Sequence, residues 1–219
     1  MFTGIIEEIG TIAKVVSRAK SSRITIKAHA IFSDLKLGDS VAVNGVCLTV
    51  NEMTTHSFTA DVMHETIKHT SLVGLTKATK VNLERAMAAD GRFGGHIVSG
   101  HIDSTGIIRE IKQDDNALIY TIAAKPDILK YVVKKGSIAI DGVSLTVVDV
   151  DDAHFWVSII PHTLHETVLA YRKSGNIVNL EVDILAKYIE KLMHPQGVNE
   201  SKITTDFLLK NGFITNDES

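Results

Sequence analysis

Apolar and polar residues alternate along a seven-residue stretch that the chain writes twice. In Asn44-Gly45-Val46-Cys47-Leu48-Thr49-Val50, the side chains of Val46, Leu48 and Val50 fall on one face of an extended strand, and Cys47 and Thr49 fall on the other. In Asp141-Gly142-Val143-Ser144-Leu145-Thr146-Val147, Val143, Leu145 and Val147 oppose Ser144 and Thr146. The apolar face goes inward, so each strand turns two small polar groups outward, about 6–7 Å apart along the strand. One such stretch is explained by an ordinary half-solvated strand. Two stretches that keep the polar pair while exchanging Cys for Ser favour a site.

The copies stand 97 residues apart, and the register extends well beyond them. Ser40-Val41-Ala42-Val43 matches Ser137-Ile138-Ala139-Ile140, Phe58 matches Phe155, Glu65-Thr66 matches His162-Thr163, and Val81-Asn82-Leu83-Glu84 matches Val178-Asn179-Leu180-Glu181. Two copies are too few for a solenoid, so the repeat predicts a duplicated domain: residues 1–96, residues 97–184, and a tail over 185–219.

Within each half the alternation predicts strands and little helix. Met1 to Val15 reads as strand punctuated by Gly4 and Gly10, a spacing repeated by Gly100 and Gly106. Arg23–Ala28 and Leu118–Ile122 alternate, as do His56–Val62 and His154–Ile160. Short helices are predicted at Ala30–Leu35, Glu65–Leu72, Pro126–Val133 and His162–Leu169. About five or six short strands per half point to an all-β barrel or sandwich, and closure into a barrel removes the exposed edges. After Asp183, a plausible N-cap, the period changes: Leu185, Tyr188, Ile189, Leu192 and Met193 recur at helical spacing up to His194-Pro195-Gln196-Gly197. A second helix is predicted from about Thr204 to Asn211, ending at Gly212. This tail has no counterpart in the first half, and it packs either on its own domain or on another subunit.

Composition narrows the class. A net charge of -3 gives no basic footprint for nucleic acid or an anionic membrane. No apolar run approaches about 18 residues, and the acidic start at Glu7-Glu8 does not suit a signal peptide. One cysteine excludes an internal disulfide framework and suits a reducing cytoplasm.

The ten histidines invite a metal reading, but His96 and His101 fall on opposite faces of a strand and no ligand motif completes His162 and His165. No metal is expected. Gly91-Arg92-Phe93-Gly94-Gly95-His96 neither follows a clear strand nor opens a helix, so it fails as a nucleotide loop and reads as a linker between barrels. Cys47 is either a buried small hydrophobe or, by its place on the polar face, an exposed thiol. His101, in Ser99-Gly100-His101-Ile102-Asp103, is the natural proton carrier near neutral pH. Glu7-Glu8, Asp114-Asp115 and Asp151-Asp152 read as solvated turns, and no Ser-His-Asp triad is legible in the spacing.

Four motifs in order, Met1-Phe2-Thr3-Gly4-Ile5-Ile6, the two heptapeptides, and Gly94-Gly95-His96-Ile97-Val98-Ser99-Gly100-His101-Ile102 between them, resemble the alpha-chain riboflavin synthase family from Met1 to about Met193. The chain departs from the family at Lys77-Ala78-Thr79-Lys80, where the family has a glycine turn. The resemblance implies two six-stranded antiparallel Greek-key barrels, a homotrimer held by the C-terminal helices, and a site between barrels of different subunits. It further implies dismutation of two molecules of 6,7-dimethyl-8-ribityllumazine to riboflavin and 5-amino-6-ribitylamino-uracil, with no cofactor, and leaves room for an association with lumazine synthase. Carried over residue by residue, Ser40, Cys47, Leu48 and Thr49 belong to a first-half pocket with Asp61, Val62, Met63, His64, Glu65 and Thr66. Gly100, His101, Ile102, Lys135, Ser144, Leu145, Thr146, Ser158, Ile159, Ile160, Pro161, His162 and Thr163 belong to a second-half pocket, with Gly4, Ile5 and Ile6 nearby. Asp183 is a further family site position. The resemblance makes Cys47 the nucleophile or its positioning group, and puts His101 with Ser144 and Thr146 in deprotonation of the 7-methyl group. The Cys47/Ser144 exchange is a candidate source of asymmetry between the two bound molecules. A non-catalytic lumazine- or flavin-binding relative and a plain protein-interaction module are the competing readings. The first is disfavoured by the intact polar residues and the second by their repetition.

Overall fold

A computed structural model describes residues 1–193 and 205–213. The first half carries β1 (Glu8–Ser17), β2 (Ser21–Lys27), β3 (Ser40–Val43), β4 (Val46–Thr49), β5 (Glu52–Met53), β6 (Ser57–Met63), a short helix α1 (His64–Lys68) and β7 (Lys80–Arg85). The second carries β8 (Ser104–Asp114), β9 (Ala117–Ala123), α2 (Pro126–Leu129), β10 (Ser137–Ile140), β11 (Val143–Val150), β12 (His154–Ile159), α3 (Pro161–His165) and β13 (Ile177–Val182). The helix predicted over Ala30–Leu35 is a single 3-10 turn, Ala30–Ser33, and the one predicted over Glu65–Leu72 is α1 followed by a 3-10 turn, Ser71–Gly74. The first seven residues, expected as strand, pair only at Phe2 with Val98. Gly4 sits at φ +78°, and the Thr3 and Gly4 N–H groups are taken by the Glu84 carboxylate, so no ladder can run through them.

All strand pairs are antiparallel, and the second half closes as β10-β11-β12-β9-β8-β13, a Greek-key order. The first half, expected to close likewise, follows the same path as an open seven-stranded half-barrel, β4-β3-β7-β1-β2-β6-β5, because its fourth strand is in two pieces, β4 and β5, which end the sheet on either side. Val148 lets β11 run on through a register shift, whereas Asn51, its counterpart, interrupts the strand and turns its carboxamide to Asp61. Register shifts recur at matching places in β1 (Ile12/Lys14) and β8 (Ile108/Glu110).

The alternating apolar residues fill the two barrels as expected. Ile24, Ile26, Val41, Leu48 and Phe58 are buried in the first, and Ile122, Ile138, Leu145, Phe155 and Val157 in the second. The barrels form one compact unit, Met1–Ala186; a second unit runs from Lys187. Helix α4 (Ile184–Met193) opens after Asp183, whose Oδ1 accepts the Leu185 N–H at 3.0 Å, and its apolar residues Leu185, Tyr188, Ile189, Leu192 and Met193 are exposed. The second tail helix, α5, spans Thr205–Lys210. The expected stop at His194–Gly197 lies outside the described residues.

Each heptapeptide opens on a two-residue hairpin turn, Asn44-Gly45 and Asp141-Gly142, with positive φ at all four positions. The two turns abut. A Cβ added to Gly45 would lie 2.8 Å from the Gly142 nitrogen, and one added to Gly142 would lie 2.7 Å from that of Gly45. Around them the halves exchange hydrogen bonds: Asn82 Nδ2 donates to Asp141 O at 2.9 Å and Asn179 Nδ2 to Asn44 O at 2.8 Å.

At one buried position the copies differ in charge. Asn44 Oδ1 accepts the Asn82 N–H at 2.8 Å, whereas Asp141 Oδ1 accepts the Asn179 N–H at 2.8 Å and its other oxygen accepts Arg172 Nε at 3.0 Å. Burial pushes the Asp141 carboxyl up, against the opposing pull of Arg172. Leu75 stands where Arg172 would be in the first copy. Arg172→Leu therefore leaves a buried carboxylate unpaired and costs about 3–5 kcal/mol in denaturant unfolding, and adding Asp141→Asn recovers most of the loss. The turn at Lys77–Lys80 keeps its geometry without glycine: Ala78 is at φ +72°, where the second half has Gly175 at φ +88°. Ala78→Gly is expected to raise the unfolding free energy by about 1 kcal/mol.

Candidate functional site

The outward rows of β4 and β11 are open to ligand. Thr49 and Thr146 are exposed, Cys47 and Ser144 half-buried. Ser40 pairs with Thr49 across β3 and β4, which aligns Ser40, Cys47 and Thr49 on one face. Asp61 and Met63 point out from β6, followed by exposed His64 and Glu65 and half-buried Thr66 on α1. On the second barrel half-buried Ser158 and exposed Ile160 flank the Ser144–Thr146 row, followed by exposed Pro161 and His162 and half-buried Thr163. Leu48, Val62, Leu145 and Ile159 turn inward and belong to the cores, so a ligand on either face meets only their backbone. Lys135 is exposed at φ +67°, where the first half has Gly38 at φ +90°. Asp183 is half-buried at the start of α4.

The segments before the barrels cross between the faces. The Cys47 N–H donates to Gly100 O at 2.9 Å and the Ser144 N–H to Gly4 O at 2.8 Å. Ile102 packs on the first core and Ile6 on the second. Gly100, His101 and Ile102 thus accompany Cys47, and Gly4, Ile5 and Ile6 accompany Ser144; the structure groups His101 with the first face. Its ring Nδ1 lies 3.2 Å from Ser99 Oγ, and the side chain is exposed. Glycine is required at both crossings: a Cβ on Gly100 would be 2.5 Å from Cys47 Cβ, and one on Gly4 would be 2.6 Å from Ser144 Cβ.

Two buried carboxylates hold the crossing segments. Glu84 accepts from the Thr3 N–H at 2.6 Å and the Gly4 N–H at 3.0 Å, and Glu181 accepts from the Ser99 N–H at 2.6 Å and the Gly100 N–H at 3.0 Å. Burial pushes both carboxyls up, and these hydrogen bonds oppose it. Sequence reading found Glu84 and Glu181 at the ends of the repeats without a role for them.

His96 was also missed as part of the site. The stretch expected as a linker folds onto the second face, where His96, 7% exposed, places Nδ1 2.7 Å from Ser144 Oγ. Its Nε2 is buried without a hydrogen-bond partner among the described residues. The legible signal was the preceding glycine, since a Cβ on Gly95 would stand 2.0 Å from Thr3 O and 3.0 Å from Ser144 Cβ. A cleft of about 370 Å³ lined by Thr3, Ile5, Glu84 and Arg85 reaches the first face at Ser40, not at Cys47 or Thr49. Among the described residues no three His, Cys, Asp or Glu side chains gather as a metal site.

Two like barrels, each with an outward row of hydroxyl or thiol groups and a crossing segment from the other half of the chain, define a tandem-barrel small-molecule-binding protein. The model of the lumazine binding domain matches residues 3–86 and 99–183. Riboflavin synthase of Actinobacillus pleuropneumoniae is 55% identical over 97% of this chain and all of its own length, and that of Bacillus subtilis (strain 168) is 49% identical over the same shares. The crystal structure of LumP complexed with riboflavin matches with a TM-score of 0.77 at 24% identity, covering 83% of this chain and 99% of LumP. The complex of LumP with 6,7-dimethyl-8-(1'-D-ribityl) lumazine matches at 0.75 over the same shares. The chain belongs to the riboflavin synthase family.

Burial holds His96 below the ordinary imidazole range, with Asp183 pulling the other way. The unfolded chain therefore takes up this proton first as pH falls below about 6.5. The His96 contribution is complete above that pH and is lost as pH drops toward the lowered folded value. Urea midpoints measured between about pH 8 and 5 should fall more steeply for the native chain than for His96→Gln.

Proposed function

We propose that this chain is a riboflavin synthase: two molecules of 6,7-dimethyl-8-ribityllumazine bind, one on a first-barrel face and one on a second-barrel face, and a four-carbon unit passes between them. Products are riboflavin and 5-amino-6-ribitylamino-uracil. The observation that carries this reading is the matched pair of outward faces, Cys47–Thr49 and Ser144–Thr146, on one repeated frame. A reaction between two identical molecules calls for two similar surfaces, and unlike groups on them let one partner give and the other receive. Stacking two bound rings supplies acceleration through orientation.

In a single chain both faces lie on the outside of filled barrels, so each needs a cover from another copy. The exposed apolar stripe of α4 is suited to holding such copies together, and a homotrimer is the assembly we assign to it. Residues 1–96 and 97–184 are the two binding domains of this reading, and 185–219 the oligomerisation tail. Cys47 acts as nucleophile or its positioning group. His101, near it and exposed, is a proton carrier, and Ser144 and Thr146 serve the second molecule. Ser40, Asp183, Lys135 and the segments 4–6, 61–66, 100–102 and 158–163 bind the two ligands. The reaction takes place in the cytoplasm without a cofactor, and association with lumazine synthase is compatible with it.

Pure protein incubated with the lumazine in chelator-containing, cofactor-free buffer should form one riboflavin per two lumazines consumed, followed by absorbance; no riboflavin would overturn the reading. Cys47→Ser is expected to lower turnover. His101→Gln is expected to lower it by about 10²-fold or more and to alter the pH profile. Light scattering should find three copies per particle.

A further inference from the structure

The two outward faces carry different chemistry beside their polar pairs. On the first, Asn51 continues the Cys47–Thr49 row, and its backbone N–H donates to Thr59 O at 2.9 Å. Its Nδ2 donates to Asp61 Oδ2 at 2.9 Å. Arg23, the cross-strand partner of Asp61 on β2, donates Nε to Oδ1 at 3.0 Å and a terminal nitrogen to Oδ2 at 3.2 Å. Its other nitrogen donates to Glu52 Oε1 at 2.8 Å. On the second face the matching positions hold Val148, Ser158 and Ile119, and Asp149, in the place of Glu52, pairs with Lys134 at 3.1 Å. One face thus holds a carboxylate gripped from two sides, and the other a hydroxyl among aliphatic side chains.

A carboxylate offers about four acceptor positions. Arg23 and Asn51 occupy three of those on Asp61, and the side chain is 35% exposed, so Oδ1 keeps an accepting position open to the face. The guanidinium also holds the Asp61 carboxyl below its usual range, with the hydrogen bond as the main cause. The bidentate fork fixes the direction of the remaining lone pair as well as the charge.

We propose that Arg23 and Asn51 are positioning residues that hold the Asp61 carboxylate as a hydrogen-bond acceptor for a hydroxyl or N–H donor of the ligand on the first face, so that the two faces bind the same polyol-bearing ligand with unequal affinity. The inference rests on the reading that both faces hold a ribityl-bearing ring. The Cys47/Ser144 exchange is then one of several differences between the faces, and the Arg23–Asp61–Asn51 set is the one that governs binding strength.

Riboflavin, which does not react further, is the probe, titrated against the full-length protein by fluorescence quenching. The native chain should show two classes of site. Arg23→Ile and Asn51→Val, which give the first face the aliphatic character of the second, should each weaken one class about tenfold and leave the other unchanged. Arg23→Lys, a point charge without the fork, should fall between. With the lumazine as substrate, KM should rise about tenfold while kcat stays within twofold, and the melting temperature should move by no more than about 2 °C because the pair is at the surface. Equal weakening of both classes, or unchanged riboflavin affinity in both Arg23→Ile and Asp61→Asn, would overturn the inference. If native protein makes no riboflavin from lumazine while the binding pattern is as described, the proposed activity fails and the unequal faces stand.

Discussion

Everything in the paired barrels depends on the hydrogen bonds that Asn82 and Asn179 exchange across the seam. Each asparagine uses both ends of its carboxamide on the opposite half: Asn82 gives Nδ2 to Asp141 O and takes the Val168 N–H at 2.7 Å, and Asn179 gives Nδ2 to Asn44 O and takes the Ser71 N–H at 2.6 Å. Both side chains are fully buried. A buried amide that loses a partner costs about 1–3 kcal/mol, and here four bonds share one dry patch, so the seam is satisfied as a whole or not at all. The Gly45 and Gly142 turns sit in the same patch at a separation that excludes any side chain. Small Ala42 and Ala139 on the outward faces of β3 and β10 leave room for Phe2 and Val98, which pack there as a core of their own between the barrels.

The seam fixes the faces. Because Thr3–Gly4 and Ser99–Gly100 are gripped by Glu84 and Glu181 close to it, Gly4 is delivered to Ser144 and Gly100 to Cys47. Each face is therefore assembled from both halves of the chain. A seam that slipped by one residue would turn the outward rows into the cores and lose both faces together.

The strands, the repeat and the inward rows were legible because an alternation of period two is a local signal that a buried face enforces. Helix α4 was legible for the same reason at period 3.6. The crossing of Gly4 and Gly100 was not, since no pattern in the sequence says which half a leading segment will cover. The family resemblance placed His101 with Ser144; the backbone hydrogen bond from Cys47 places its segment on the other barrel. His96 was hidden for a related reason. Its stretch lies between the two matched copies, so the comparison of one copy with the other had nothing to say about it. The open ladder at Asn51 was readable in principle, an asparagine where the copy has a β-branched valine, but its tie to Asp61 needed the fold.

Most of the differences between the copies that change polarity or charge share a location. Phe58 and Phe155, Leu48 and Leu145, and Val81 and Val178 are unchanged, and all face inward. Cys47 against Ser144, Asn51 against Val148, Asp61 against Ser158, Arg23 against Ile119 and Gly38 against Lys135 all lie on outward rows or in exposed turns. Physical cost explains the division. Shortening a buried Phe or Leu removes several kcal/mol, a large share of a domain's net stability, whereas an outward exchange is usually worth a fraction of one. The buried exchanges stay mostly apolar, Val41 against Ile138, Val43 against Ile140 and Ala60 against Val157 among them, and the one that brings in a charge, Asn44 against Asp141, is accompanied by Arg172. A duplicated barrel can therefore diverge in what it touches far more readily than in how it folds. Two copies of one ligand can then be held in unlike surroundings on an unchanged frame.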